Sequence, residues 1–289
     1  MLMKKTTYFL QAAAFAALFL LPSLLLSWGF WAHKAITRQA ISVLPAEAKA
    51  FFVEHADSIS EKSIDPDLWR RHDDKEGNRH FIDIDNYGAY PFADLPRDYN
   101  AAVDKYGEEQ VYKMGIVPWR VAEMMDSLTT AMKARDKKLM IRYTTAVAHY
   151  VEDIHMPLHT VVNYDGQLSG NKGIHSRYER WMLEAHPEDV LASIQPNTPQ
   201  YIDNARDAAF AWVLDSFIWA DNLLHADSHA KVPGKSYSSR EDYDSDYYAK
   251  LYQNTRAFTG LQLSKAATAT ASCWLTAWVN AGKPDLSGL

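Results

Sequence analysis

The chain has 289 residues, 47% of them hydrophobic, with 12 glycines and 12 prolines, a composition that excludes disordered, collagen-like and low-complexity proteins. At this length it can bury a sizeable core, and no Ser/Gly/Pro-rich linker or block of like charge divides it, so one domain is expected. The formal net charge is −6 and the basic residues are scattered, which excludes a protein that wraps duplex nucleic acid through a basic stripe.

Lys4 and Lys5 precede an uncharged, almost wholly apolar run from Tyr8 to Leu26, the pattern of a signal peptide over residues 1–27. A membrane anchor would also suit a run of this length, but Pro22-Ser23 interrupts it and no second hydrophobic span follows,. Cleavage after Ser27 starts the exported chain at Trp28 and leaves 28–289 as the domain; losing Lys4 and Lys5 takes the formal charge from −6 to −8. The destination is periplasmic or extracellular.

Helical periodicity then dominates. Ile36, Ala40, Ile41 and Leu44 share one face, and Pro118 opens a segment in which Val121, Met124, Met125, Leu128 and Met132 share another,. Further helices are predicted around 138–156, 174–184, 200–226, 243–257 and 259–280, whereas Ile64 to Asn100, rich in Asp, Pro, Gly and Tyr, reads as ordered loop,. No alternating strands bounded by hairpin turns occur, so the fold class is all-α. The one cysteine, Cys273, sits in an apolar helical stretch and is expected to pack as a small hydrophobe,.

The chemistry is concentrated in the histidines. In His149-Tyr-Val-Glu-Asp153-Ile-His155-Met-Pro157-Leu-His159, His149 and Asp153 stand i,i+4 on a helix face, and Pro157 ends that helix so that His159 can return beside it,. His175 and Glu179 repeat the i,i+4 device after the turn-forming Ser169-Gly-Asn-Lys-Gly173. Singly, each pair reads as an exposed ion pair. Together, and set among Ala146, Val147, Ala148, Met156 and Leu158, unpartnered imidazoles and a carboxylate would cost several kcal/mol of desolvation, which a bound cation removes. Zinc suits a His-plus-carboxylate donor set without thiolates. His155 points away from His149 and Asp153 and is assigned to packing; His55, His72, His186, His225 and His229 have no partner pattern and are expected at the surface. No His-Glu-x-x-His, nucleotide-binding glycine loop or Gly-x-Ser-x-Gly elbow is present,.

In these motifs the sequence resembles the zinc-dependent phospholipase C and S1/P1 nuclease superfamily of exported, all-α, trinuclear zinc phosphodiesterases. Trp28-Gly-Phe-Trp-Ala-His33 matches the superfamily's N-terminal ligands, Asp67-Leu-Trp-Arg70 its Asp-x-x-Arg, His80-Phe-Ile-Asp83 its His-Phe-x-Asp, and the two pairs above its remaining ligands. The resemblance implies one zinc on Asp67, His80, His149 and Asp153, a second on Trp28, His33 and a bridging Asp153, and a third on His159, His175 and Glu179 with water. It further implies that Asp67 orients or deprotonates the attacking water, and that Arg70 and Asp83 pair to hold the Asp67 and His80 segments.

Three zinc ions against the carboxylates of Asp67, Asp153 and Glu179 leave a local positive excess that draws a phosphodiester despite the acidic chain, and metal-activated hydroxide is the expected nucleophile. The expected substrate is a phospholipid head group, with peripheral contact to a membrane surface, because Glu179 stands where the nucleases carry Asp and disulfides are lacking. Single-stranded DNA or RNA is the alternative, favoured by Gly170-Asn171 and the Trp28-to-His33 spacing. Tyr87, Tyr90, Phe92 and Tyr164 are candidates for caging a quaternary ammonium or stacking a base. A non-catalytic zinc protein is the third reading. No stable protein partner is expected.

Overall fold

The computed structural model describes residues 29–289, so the expected signal peptide 1–27 and Trp28 lie outside the described residues. Thirteen α-helices follow in order, α1 Phe30–Ser42, α2 Ala46–Glu54, α3 Ala56–Lys62, α4 Asp65–Trp69, α5 Tyr99–Tyr106, α6 Glu108–Lys113, α7 Val117–Ala134, α8 Lys137–Ile154, α9 (residues 174–185), α10 Pro187–Ser193, α11 Ala205–Phe217, α12 Ala220–Ala230 and α13 Ser245–Asn280. No strand occurs among the described residues, in agreement with the all-α reading.

The second half of one helix has no solvent face. Asp136 caps α8 by accepting from Leu139 N, and from Thr144 to Ile154 every residue of α8 is buried. Helices α1, α3, α4, α7, α11 and α13 all pack against it. A 3.6-residue period cannot keep a polar residue in water when the helix is covered all round, so His149, Glu152 and Asp153 enter the interior with their charge. This placement creates the site.

Two expectations about helices need correction. The segments 243–257 and 259–280 form the single helix α13. Gly260, in its middle, marks a close approach: a Cβ there would lie 3.0 Å from Ser193 Cβ at the end of α10,. The segment 200–226 is divided into α11 and α12, and the chain before them runs extended along α13. Gln195, Asn197, Gln200 and Ile202 donate their backbone N–H groups to the hydroxyls of Ser264, Thr268, Ser272 and Thr276 at 2.8–3.0 Å. Those hydroxyls recur every four residues on one face of α13, so the helix supplies the hydrogen bonds that a second strand would otherwise provide.

The region from 64 to 100 is ordered, as expected, but includes α4 and two 3-10 turns, Glu76–Arg79 and Ile84–Tyr87. It is pinned to the segment before α7 by Asp83 N to Met114 O (2.7 Å) and Ile116 N to Asn78 O (2.8 Å). Gly115 permits this contact, since with φ +89° a Cβ would meet Phe81 O at 2.2 Å. Cys273 is fully buried.

Candidate metal centre

Six stretches deliver the donors. His33 comes from α1, Asp67 from α4, and His80 from the end of the Glu76–Arg79 turn. His149 and Asp153 come from α8. Pro157 opens a 3-10 turn, Pro157–Thr160, that carries His159, and Ile82 N to His159 O (2.9 Å) ties that turn to the His80 segment. Glu179 follows His175 on α9, where Arg177–Met182 is a π-helical turn between Ile174–Ser176 and Leu183–Ala185, the wide-turn geometry frequent at functional positions.

Their donor atoms converge in three groups, each within 4.8 Å: His33, Asp67 and His149; His80, His149 and Asp153; and His159, His175 and Glu179. All of these residues are buried. His149 Nε2 stands 3.0 Å from His80 Nδ1 and 3.3 Å from Asp153 Oδ2. Asp153 Oδ1 lies 3.5 Å from His33 Nε2 and 3.6 Å from His159 Nδ1, so this carboxylate stands between the groups. Asp67 Oδ1 is 3.8 Å from both His80 Nδ1 and His149 Nε2, and Asp67 thus lies at the junction of the first two groups. Asp65, the other acid of Asp-Pro-Asp, is only partly buried and belongs to none of them.

The ring nitrogens on the far side of these imidazoles are already engaged. His33 Nδ1 meets Glu152 Oε2 at 2.6 Å, His149 Nδ1 meets Ser63 O at 2.7 Å, His159 Nδ1 meets His80 O at 3.1 Å and His175 Nδ1 meets Tyr164 O at 3.1 Å. A proton held on that nitrogen leaves the other lone pair facing inward, the tautomer a metal requires. His159 Nε2 and His175 Nε2 face one another at 3.3 Å, Glu179 Oε2 lies 3.1 Å from His175 Nε2, and His33 Nε2 lies 3.5 Å from Asp153 Oδ1. Imidazole nitrogens and carboxylate oxygens crowded together out of water form a donor set that a cation would satisfy.

The electrostatics differ among the donors: against burial, Asp153 and Glu152 push the His33 imidazole up to about 10. Burial holds the His149 imidazolium well below its ordinary range and His159 down to about 3, so both are neutral ligands at neutral pH. Burial pushes Glu179 up to about 7 against the attraction of His175. For Asp153, burial favours the neutral acid, but His149 and His159 overcome it and hold the carboxyl well below the usual range.

The described residues above the groups form a cavity of about 250 Å³ lined by Arg70, Phe81, Asp83, His159, Tyr164 and His175 among others. Among the described residues the Arg70–Asp83 pairing is not found: Arg70 Nη2 approaches Asp67 Oδ1 at 3.6 Å, while Asp83 is raised to about 7 by burial and by Asp85. The chain turns at Gly88, and Tyr90 beyond it is exposed and stacks on Phe217. Tyr87 packs on Tyr106 and Phe92 on Phe217, both buried, and only Tyr164 of the four proposed aromatics lines the cavity. Phe81, inside the His80-Phe-Ile-Asp83 motif, is the aromatic that takes their place.

His155 packs against Trp212 and bonds Val151 O, as expected. Two buried carboxylates were not anticipated. Glu152 bonds His33, and Glu76 lies 3.4 Å from His80 Nε2 while accepting from Tyr150 and Arg79. Glu76 stands i,i+4 to His80, the same spacing that exposed His149 and Asp153, and Glu152 lies inside the His149-to-His159 run.

The family model described as S1/P1 Nuclease matches residues 28–267. Among solved structures the chain is similar to the Alpha Toxin from Clostridium Absonum, at 14% identity and a TM-score of 0.44, covering 81% of this chain and 62% of that one. It thus spans about 62% of the toxin's length. No curated protein matches the sequence.

Proposed function

The chain belongs to the S1/P1 nuclease family of phosphodiester hydrolases, and on that premise we propose that it cleaves single-stranded nucleic acid with three zinc ions bound at its His/carboxylate groups. The observation that carries this reading is the convergence of three donor groups beneath one cavity that also holds Arg70 and two aromatic side chains.

Asp67, His80, His149 and Asp153 would hold one zinc; Trp28, His33 and Asp153 a second; His159, His175 and Glu179 a third. Gly29 N donates to Glu179 O at 3.1 Å, so the residue that follows Trp28 lies against the turn that carries Glu179. Bound zinc supplies a water acidic enough to yield hydroxide near neutral pH and positive charge for the departing oxygen.

The protein's own contribution is positioning. In this reading Asp67 orients the attacking water and takes its proton, while Arg70, beside Asp67 and lining the cavity, neutralises a non-bridging phosphoryl oxygen. The oxygen–phosphorus bond forms as the ester bond to the leaving alkoxide breaks, and the alkoxide is reprotonated from water. Phe81 and Tyr164 offer faces on which an unpaired base can stack, which a duplex cannot present. The phospholipid reading rests on Glu179 and the missing disulfides alone.

The test is the purified chain beginning at Trp28, assayed for zinc and for turnover of single-stranded RNA, single-stranded DNA and phosphatidylcholine, with and without EDTA. Three zinc equivalents and EDTA-sensitive release of nucleotides are expected. Hydrolysis of phosphatidylcholine with nucleic acid untouched transfers the site to the lipid substrate, and cleavage of neither overturns the enzymatic reading.

A further inference from the structure

We propose that Glu152 is a positioning residue for the metal centre: its carboxylate clamps α1 to α8 and sets His33 to present Nε2 to the cation. This rests on the zinc reading above.

Glu152 Oε2 lies 2.6 Å from His33 Nδ1, and Oε1 accepts from Thr37 Oγ1 at 2.9 Å. His33 and Thr37 are one turn apart on α1, so one carboxylate grips two consecutive turns of the helix that leads the chain to the centre. All three side chains are fully buried. Glu152 is next in sequence to Asp153, and successive residues of a helix project about 100° apart. Asp153 can therefore face the donors while Glu152 turns to α1.

The consequence is directional. With Nδ1 held by Glu152, the lone pair of Nε2, 3.5 Å from Asp153 Oδ1, is the one available to a cation. The stacked ring of His149, at 4.2 Å and 17° to that of His33, fixes the plane of the imidazole but not which nitrogen carries the proton. Glu152 makes that choice, and its negative charge makes the imidazole a stronger donor. A carboxylate present only to fill space would not need two well-formed hydrogen bonds to the same helix, and a leucine would serve that purpose at lower cost.

The experiment compares the full chain from Trp28 with its Glu152→Gln and Glu152→Leu variants. Zinc content is measured at equilibrium against a graded chelator, and folding is followed by circular dichroism in EDTA. Gln keeps an acceptor for His33 but removes the charge; Leu removes both. The expected result is about 10- to 100-fold weaker binding of one equivalent in Glu152→Gln, and loss of that equivalent in Glu152→Leu with the other two retained. A packing role predicts the opposite order, with Leu at least as good as Gln. The proposal is overturned by a folded Glu152→Leu variant that holds every equivalent at the affinity of the parent chain. If the Leu variant does not fold, unchanged affinity in Glu152→Gln overturns it. Absence of zinc from the parent chain instead removes the metal reading itself, so the two failures are distinguishable.

Discussion

Arg177 and Glu179 stand two residues apart on the same π-helical turn, yet each belongs to a different way of burying charge. Arg177 meets Asp227 at 2.8 Å, Lys231 meets Asp227 at 2.8 Å, Tyr247 donates to the same carboxylate, and Asn171 donates to it at 2.6 Å. The remaining Arg177 donors reach Lys172 O and Asn171 O. That cluster answers its own charge. On the other face of the turn, Glu179, His175 and His159 bring together a carboxylate and two imidazoles, with His175 Nε2 3.1 Å from Glu179 Oε2 and 3.3 Å from His159 Nε2. Both sets are buried: the first is answered by cations and donors of the chain itself and stabilises the fold as it stands, whereas the second is a converging His/carboxylate set that could hold a metal ion,.

Substitution at Asp153 is expected to have the largest effect. Because its two oxygens face different donor groups, Asp153→Asn should weaken two metal positions together and lower turnover by at least about 100-fold, measured as zinc content and rate. Full zinc and normal rates in that variant would end the bridging role. Asp227→Asn tests the other side: it strands Arg177 and Lys231, and should cost about 3–5 kcal/mol in denaturant unfolding with zinc stoichiometry unchanged. Loss of zinc there would mean the two regions are not separable.

A chain bearing one residue ahead of Trp28 converts the free amine to an amide, which cannot coordinate through a neutral lone pair. Lower zinc content and slower phosphodiester hydrolysis than in the chain starting at Trp28 are expected. Equal values in both forms would remove Trp28 from the ligand set.

pH sharpens the comparison further. In the metal-free chain Glu179 titrates at about 7 because burial favours its neutral form, and His175 is raised above 6.5 against burial by Glu179. Below pH 7 zinc must displace protons from both, so affinity at this group should fall with decreasing pH, by about tenfold per unit for each proton displaced. Competition titrations between pH 6 and 8 will read the slope. Asp227 behaves oppositely: against burial, Arg177 and Lys231 hold it below its ordinary 3.8. Its contribution is present above 3.8 and is lost only as pH falls through that lowered value, so unfolding free energy from this cluster should stay flat across the same window.

The smallest effect is expected on α13, where Thr268→Ala removes the acceptor of Asn197 N. About 1 kcal/mol of stability should be lost with zinc binding untouched, checked by urea denaturation.

Much of the site was written in local spacing. The i,i+4 pairs His149/Asp153 and His175/Glu179, and the Pro157 stop that returns His159, are short-range consequences of helical geometry, so they could be read directly. Asp67, Arg70, His80 and His33 came instead through the resemblance, since no local rule joins α1, α4 and a 3-10 turn to α8. Glu76 is legible by the same i,i+4 spacing to His80. Glu152 is not, because an acid beside a ligand on a helix reads as solvent-facing until that half of the helix is known to be covered all round.

What the sequence determined by itself was therefore the all-α class, the amphipathic faces of α1 and α7, the buried thiol of Cys273 and the ligand pairs within one turn of each other. Tertiary structure alone decided that Gly260 lets two helices touch instead of ending one, and that 195–202 borrows hydroxyls from α13. It also decided that Arg70 leans on Asp67 rather than Asp83, and that Tyr87 and Phe92 pack away from the cavity that Phe81 lines. The physical reason is range: hydrogen bonding and periodicity within a helix act over four residues, whereas desolvation of a charge depends on every element that closes over it, and those elements are distant in the chain.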